Sequence, residues 1–154
     1  MSLSTEESLA FHKKIAIESF NKTWDLMDCK NRSKEEDMEM IHTAHASFYH
    51  WMLIGKPINF AKSEWQISRV YTLLGMGQSA LVHGLQSLDL CLKNNIGDFD
   101  LAFAYETVSR AYKILGDSTN QRFYYKKALN ATEGILKESD KTYTLKELSD
   151  LKLD

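Results

Sequence analysis

The chain has 154 residues, enough for one domain with a substantial core, and its 44% hydrophobic and 26% charged residues are typical of a globular protein. A net charge of −2 argues against a global attraction to nucleic acid or to an anionic membrane. No apolar run approaches the roughly 20 residues that span a bilayer, and the two cysteines form no disulfide or zinc pattern. We therefore expect a cytoplasmic soluble protein.

The apolar residues recur at steps of three, four or seven along the chain, which predicts helices, and no segment alternates as a strand would. Capping boxes, in which a hydroxyl pairs with a Glu or Gln three residues later, begin at Ser4, Ser33, Ser118 and Thr144. Glycines that can end helices follow at Gly55, Gly75, Gly97 and Gly116. The expected helices are 4–29, 34–54, 58–74, 77–95, 98–115, 118–138 and a short one at 144–151. The polar tail after Gly134 is expected to pack weakly.

One octamer occurs twice, as SRVYTLLG at 68–75 and as SRAYKILG at 109–116, with five identical positions at a spacing of 41. Its serine lets a neighbouring helix approach, its tyrosine fills the space beside it, and its glycine ends the helix. The following helix carries a stripe of small residues, at Ala80, Gly84, Ser87 and Cys91. This combination predicts an all-α fold of stacked antiparallel helical hairpins.

The octamers resemble tetratricopeptide (TPR) repeats, whose first helix carries an apolar residue, a small residue, a tyrosine and a glycine. The matching positions are Ile67, Ser68, Tyr71 and Gly75, and then Val108, Ser109, Tyr112 and Gly116. The small positions of the second helix are matched by Ala80 and Ser87 in one copy and by Ala128 in the other, where Gln121 replaces the first. The spacing of 41 exceeds the usual repeat of about 34 residues, and the closing proline is missing.

The resemblance covers about residues 60–130, and residues 1–55 are interpreted as a degenerate hairpin with Ala46 as its small position. The resemblance implies one TPR-like domain over 1–154, a right-handed superhelix with hairpins at 4–54, 58–95 and 98–138. It also implies a concave groove lined by the first helices. The inward positions are then Lys62, Trp65, Arg69, Thr72 and Leu73 in one copy, and Phe103, Glu106, Arg110, Lys113 and Ile114 in the other.

Packing accounts for the recurring Ser, Tyr, Leu and Gly, but not for the recurring arginines Arg69 and Arg110. Because arginine binds carboxylates through a bidentate fork, the groove suits an acidic or C-terminal peptide. Alternatively, the two arginines tie adjacent helices together through carboxylates of the chain itself. The expected function is a protein- or peptide-binding adaptor or regulatory module, and self-association as a homodimer is a related expectation.

The segment IHTAHASFYHW places three histidines, His42, His45 and His50, on the second helix. They spread over about 140° of the helix surface at 100° per residue, too wide for one metal unless another helix adds a ligand such as His12 or His83. A metal-dependent helical-bundle enzyme is therefore the alternative function, and hydrogen-bonded histidines at the core edge are the favoured interpretation. The Glu39-x-x-His42 pair lacks the second such pair of a di-iron site.

No nucleophile elbow, glycine-rich phosphate loop or HExxH motif occurs, so no catalytic residue and no cofactor is predicted. The segment RFYYKK at 122–127 mixes basic and aromatic residues, which can stack on single-stranded nucleic acid. Tyrosines packed on a neighbouring helix with lysines in solvent are the favoured interpretation, so neither nucleic acid nor a membrane is an expected partner.

Overall fold

The structure, a computed structural model, describes residues 4–154, so the first three residues of the predicted domain lie outside it. Within that range the chain is all-α, as predicted, and contains no strand. Its seven helices are α1 Thr5–Asp28, α2 Lys34–Ile54, α3 Pro57–Leu73, α4 Gly77–Lys93, α5 Asp98–Ile114, α6 Ser118–Ala131 and α7 Glu138–Leu148. Two short 3-10 turns follow α6 and α7, at Thr132–Gly134 and Ser149–Leu151. None of the helices between residues 4 and 154 has the length and apolar character needed to cross a membrane.

The local signals define the starts of α1 and α2 and the ends of α3 and α5, whereas Gly97, predicted to end a helix, is the N-cap residue of α5. Ser4 and Ser33 form complete capping boxes at the starts of α1 and α2, each with its predicted glutamate. Gly75 and Gly116 have φ values of 71° and 75°, in the left-handed region that glycine adopts without strain. Both glycines are the last residues of the repeated octamers and lie just after the ends of α3 and α5, so the sequence identity reflects a shared way of stopping a helix.

The C-terminal third differs from the prediction. Helix α6 begins after Asp117, whose carboxylate accepts a hydrogen bond from the backbone N–H of Asn120 at 3.0 Å, so Ser118 is not the N-cap. Helix α6 ends at Ala131 rather than at 138, and α7 begins at Glu138 rather than near 144. Thr144 therefore caps nothing; it lies buried inside α7 and donates to the backbone oxygen of Asp140. Burying Thr144, Leu148 and Leu151 together requires a helix that starts earlier than the local capping signal.

The helices pack in successive neighbouring pairs, α1 with α2, α3 with α4, and α5 with α6, which are called the first, second and third hairpins below. Helix α2 packs on α3, α4 packs on α5, and α7 packs on α5 and α6. The arrangement is helical-repeat-like. The polar tail, expected to pack weakly, instead contributes Leu148 and Leu151 to the core.

Serine hydroxyls join the two helices within each hairpin. Ser68 donates to the backbone oxygen of Ala80 at 2.7 Å, and Ser109 donates to that of Gln121 at 2.8 Å, so the repeated octamer makes the same contact twice. From the second helices, Ser87 donates to the backbone oxygen of Ala61 at 2.8 Å. These bonds hold each pair of helices close together.

The first hairpin uses the same device at a different residue from the one predicted. Ser47 donates to the backbone oxygen of Ala16 at 2.7 Å and is fully buried. Ala46 is only partly buried, so Ser47 is the small position. The predicted small stripe of α4 is confirmed: a Cβ on Gly84 would lie only 3.1 Å from Ser68 Oγ and 3.2 Å from Val108 Cγ2.

Candidate binding site on the first-helix face

A cavity of about 340 Å³ lies between the first helices of the three hairpins and α7. Most of its lining is aromatic, with six rings from four helices: Phe20, Trp24, Trp65, Phe99, Phe103 and Tyr143. Its remaining walls are formed by Ala61, Lys62, Asp100 and Asp140. We call this site the aromatic cavity.

Five of the six rings are connected by ring–ring contacts. Trp24 lies 5.6 Å from Trp65, measured between ring centroids, and Trp65 lies 5.3 Å from Phe103. Phe103 in turn meets Phe99 at 5.8 Å and Tyr143 at 5.9 Å. Since offset and edge-on contacts of this kind stabilise aromatic clusters, the walls of the cavity are held in place by one another.

Charged groups also line the aromatic cavity. The Nζ atom of Lys62 lies 5.4 Å from the centre of the Phe99 ring, a cation–π contact. Among residues 4–154, no hydrogen bond or ion pair engages the carboxylates of Asp100 and Asp140. Burial raises the pKa of Asp100, the nearby charge of Lys62 lowers it, and the charge of Asp98 raises it further. The formal charge of Lys62, Asp100 and Asp140 together is −1.

A second set of residues on the same face is an ionic network, which we call the arginine cluster. Its centre is Glu106, a fully buried residue whose carboxylate accepts from Arg110 at 2.6 Å and lies 3.8 Å from a guanidinium nitrogen of Arg69. The fork of Arg110 also donates to both carboxylate oxygens of Asp150, at 2.7 and 3.1 Å. Arg69 reaches Glu147, with 3.6 Å between the charged atoms.

The arginine cluster is thus closed by the C-terminal segment of the chain itself. The ammonium of Lys113 donates to the backbone oxygen of Asp150 at 2.7 Å, which adds a third tie. Burial lowers the pKa of Arg110, but the charge of Glu106 and the hydrogen bonds and charge of Asp150 outweigh burial and raise it. Burial raises the pKa of Asp150, and the hydrogen bonds from Arg110 outweigh this effect and lower it. Both groups are therefore held in their charged forms.

Seven of the ten residues predicted to line a binding groove belong to the aromatic cavity or to the arginine cluster, which are neighbouring parts of this face. Lys62, Trp65 and Phe103 line the aromatic cavity. The other four belong to the arginine cluster: Arg69, Glu106, Arg110 and Lys113. The two arginines contact carboxylates of the chain itself, which is the second of the two interpretations that the sequence left open.

Sequence reasoning missed the contribution of the first hairpin to the aromatic cavity. Phe20 and Trp24 lie four residues apart on α1, as Trp65 and Arg69 do on α3. Trp24 also follows the fully buried Thr23, just as Arg69 follows the fully buried Ser68. Aligning these small hydroxyl residues would have placed the α1 aromatics on the first-helix face.

The three histidines of α2 do not converge. His45 Nε2 lies 3.0 Å from the hydroxyl oxygen of Tyr71, and His50 Nδ1 lies 2.9 Å from His12 Nδ1, whereas His42 is exposed. Burial lowers the pKa of His45, and the neighbouring His83 lowers it further. Within residues 4–154, no group of three histidines, cysteines or carboxylates is arranged to hold a metal ion. In the RFYYKK segment, Tyr124 stacks on Tyr112 at 5.6 Å, a packing contact between neighbouring helices.

The fold and the site together define an all-α protein with a helical-repeat-like arrangement and an aromatic cavity between its first helices. The chain matches no family model, and comparison with curated proteins and with solved structures gives no match either. The functional interpretation therefore depends on the geometry of the first-helix face.

Proposed function

We propose that the chain is a TPR-like protein- or peptide-binding module, an adaptor or regulatory protein that uses its first-helix face. The observation that carries the proposal is the aromatic cavity, about 340 Å³ in volume and lined by six rings. Aromatic residues are enriched in the energetically dominant centres of protein interfaces. Concave apolar sites with a few polar groups are also the usual form of ligand sites.

The TPR-like assignment is supported by the contacts that recur between hairpins. Ser68 and Ser109 make equivalent bonds to the second helices of their hairpins, and both octamers end at left-handed glycines. In stacked hairpins of this kind, the first helices line the extended binding surface. The aromatic cavity lies on that surface and draws residues from α1, α3 and α5.

The arginine cluster contributes less to the proposal than the sequence suggested. An acidic partner would have to displace Asp150 from Arg110 and Glu147 from Arg69 before it could bind either arginine. The aromatic cavity needs no such displacement, because it is already an unfilled volume of about 340 Å³. We therefore place the binding of the partner at the aromatic cavity.

Selection from a displayed library of random peptides tests the proposal and does not require the partner to be identified first. Trp24→Ala removes one wall of the cavity and should weaken enriched peptides by at least about tenfold, the effect of a typical interface hot spot. Tyr143→Ala, on α7, should act in the same direction. Tyr49→Ala is the matched control, since this aromatic residue of α2 is 60% exposed and does not line the cavity.

Circular dichroism and urea unfolding would establish that the variants are folded before their binding is compared. Peptides that bind the unmodified chain and Tyr49→Ala equally, but not the two cavity variants, would support the proposal. Failure to enrich any peptide, or enrichment that both cavity variants leave unchanged, would contradict it.

A further inference from the structure

The aromatic cavity combines two features that favour the same kind of ligand. Its walls present the faces and edges of aromatic rings, and the face of an aromatic ring attracts cations. Asp100 and Asp140 also line it, and their carboxylates have no hydrogen-bond or ion-pair partner among residues 4–154. A partly buried carboxylate without a partner is energetically unfavourable. A ligand that supplies a positive charge would therefore stabilise these carboxylates.

The chain already places one cation on this aromatic surface. The ammonium of Lys62 lies 5.4 Å from the ring centre of Phe99. Within the described residues, no cation lies over the rings of Trp24 and Trp65. Lys62 balances only one of the two carboxylates, so the cavity keeps a formal charge of −1.

From this complementarity we infer that the aromatic cavity receives a positively charged side chain, lysine or arginine, from the bound protein segment. This inference rests on the proposed function and specifies the partner of the same site. An acidic side chain would meet Asp100 and Asp140 and be repelled. A neutral apolar side chain would contact the rings, but it would desolvate both carboxylates without pairing either of them.

The inference can be tested with three sets of capped heptapeptides that differ only in the central residue, which is lysine, norleucine or glutamate. The other six positions are equimolar mixtures, so the comparison does not depend on any one peptide sequence. We expect the lysine set to be retained on immobilised protein about three- to thirtyfold more strongly than the norleucine set, the range of a cation–π contact. The glutamate set should be retained least.

Variants of the two carboxylates separate charge from shape. The double substitution Asp100→Asn with Asp140→Asn should remove the preference for lysine while retaining the norleucine set. Asp89→Asn is the matched control, because Asp89 lies on α4, pairs with Lys93 and does not line the cavity. The single substitution Asp100→Asn provides a second variant, since asparagine is close in size to aspartate. It should reduce the preference for lysine partially.

The outcomes distinguish this inference from the proposed function. A lysine preference that the double variant abolishes supports both. Retention of the norleucine set at or above the lysine set, with dependence on Trp24, overturns the cationic side chain and keeps the binding function. If the unmodified protein retains all three sets no better than the Trp24→Ala variant does, both the inference and the proposed function are overturned.

Discussion

The aromatic cavity and the arginine cluster lie on the same face of the molecule and differ in what the chain itself supplies to them. In the arginine cluster, Glu106 and Asp150 accept hydrogen bonds from Arg110, and the carboxylates of Glu106 and Glu147 lie 3.8 and 3.6 Å from the guanidinium of Arg69. In the aromatic cavity, Asp100 and Asp140 have no partner among residues 4–154. A residue that recurs in a repeat therefore does not by itself indicate an external ligand. On this face, the aromatic cavity is the part whose carboxylates have no partner among residues 4–154.

The largest effect is expected at the centre of the arginine cluster. Glu106→Gln removes the buried charge that Arg69 and Arg110 share, so two guanidinium groups lose their common partner. Breaking a buried ion pair in this way costs about 3 kcal/mol, measured as the free energy of unfolding in urea. Glu147→Gln is the control, because its side chain is 28% exposed and its single long ion pair contributes below about 1 kcal/mol. Equal losses for the two variants would show that Glu106 is not the centre.

The next effect concerns the segment that closes the arginine cluster. Leu151 is 0% exposed, so Leu151→Ala should leave a cavity and lower the free energy of unfolding by about 2 to 3 kcal/mol. Leu136→Ala removes the same atoms from a side chain that is 91% exposed and should change stability by less than about 0.5 kcal/mol. Thermal unfolding of the two variants side by side would check the difference. Similar melting temperatures would mean that the C-terminal turn is not part of the core.

The smallest effect on the free energy of unfolding is expected for a substitution in the aromatic cavity. Unlike the others, this substitution should stabilise the protein. Burial raises the pKa of Asp100 in the folded chain, so its contribution to stability is fully present below the unfolded pKa of about 3.9 and is lost as pH rises through the folded pKa. Asp100→Asn should therefore stabilise the protein at pH 7, by about 0.5 kcal/mol as the low end for a stabilising substitution. The gain should disappear near pH 3. Urea midpoints between pH 3 and pH 7 would measure it, and a gain independent of pH would contradict the assignment.

Helix ends that depend on local signals are predictable from a single sequence, whereas helix ends that depend on tertiary packing are not. The starts of α1 and α2 and the ends of α3 and α5 were predictable because Ser4, Ser33, Gly75 and Gly116 act locally, within one turn of helix. The start of α7 was not, because Thr144 carries a local capping pattern that the burial of its own side chain overrides.

The residues of the candidate site also include some that the sequence predicts and some that it does not. Trp65 and Phe103 were predictable from the register of the repeats, whereas Tyr143 belongs to a helix outside the repeats and reaches the cavity only through the packing of α7. The carboxylate of Asp150 is 40 residues from Arg110 in the chain, and no periodicity connects them. Their pairing is a property of the folded chain and could not be derived from spacing.

The C-terminal turn, Ser149–Leu151, affects how the stack of hairpins could be extended. Where the second hairpin offers the small Ala80 at the start of its second helix, the third offers Gln121, whose side-chain amide donates to the backbone oxygen of Leu151 at 3.0 Å. Helix α7 and the turn after it pack on α5 and α6, where a further hairpin of such a stack would lie. Adding a hairpin at that position would require the turn to be rebuilt.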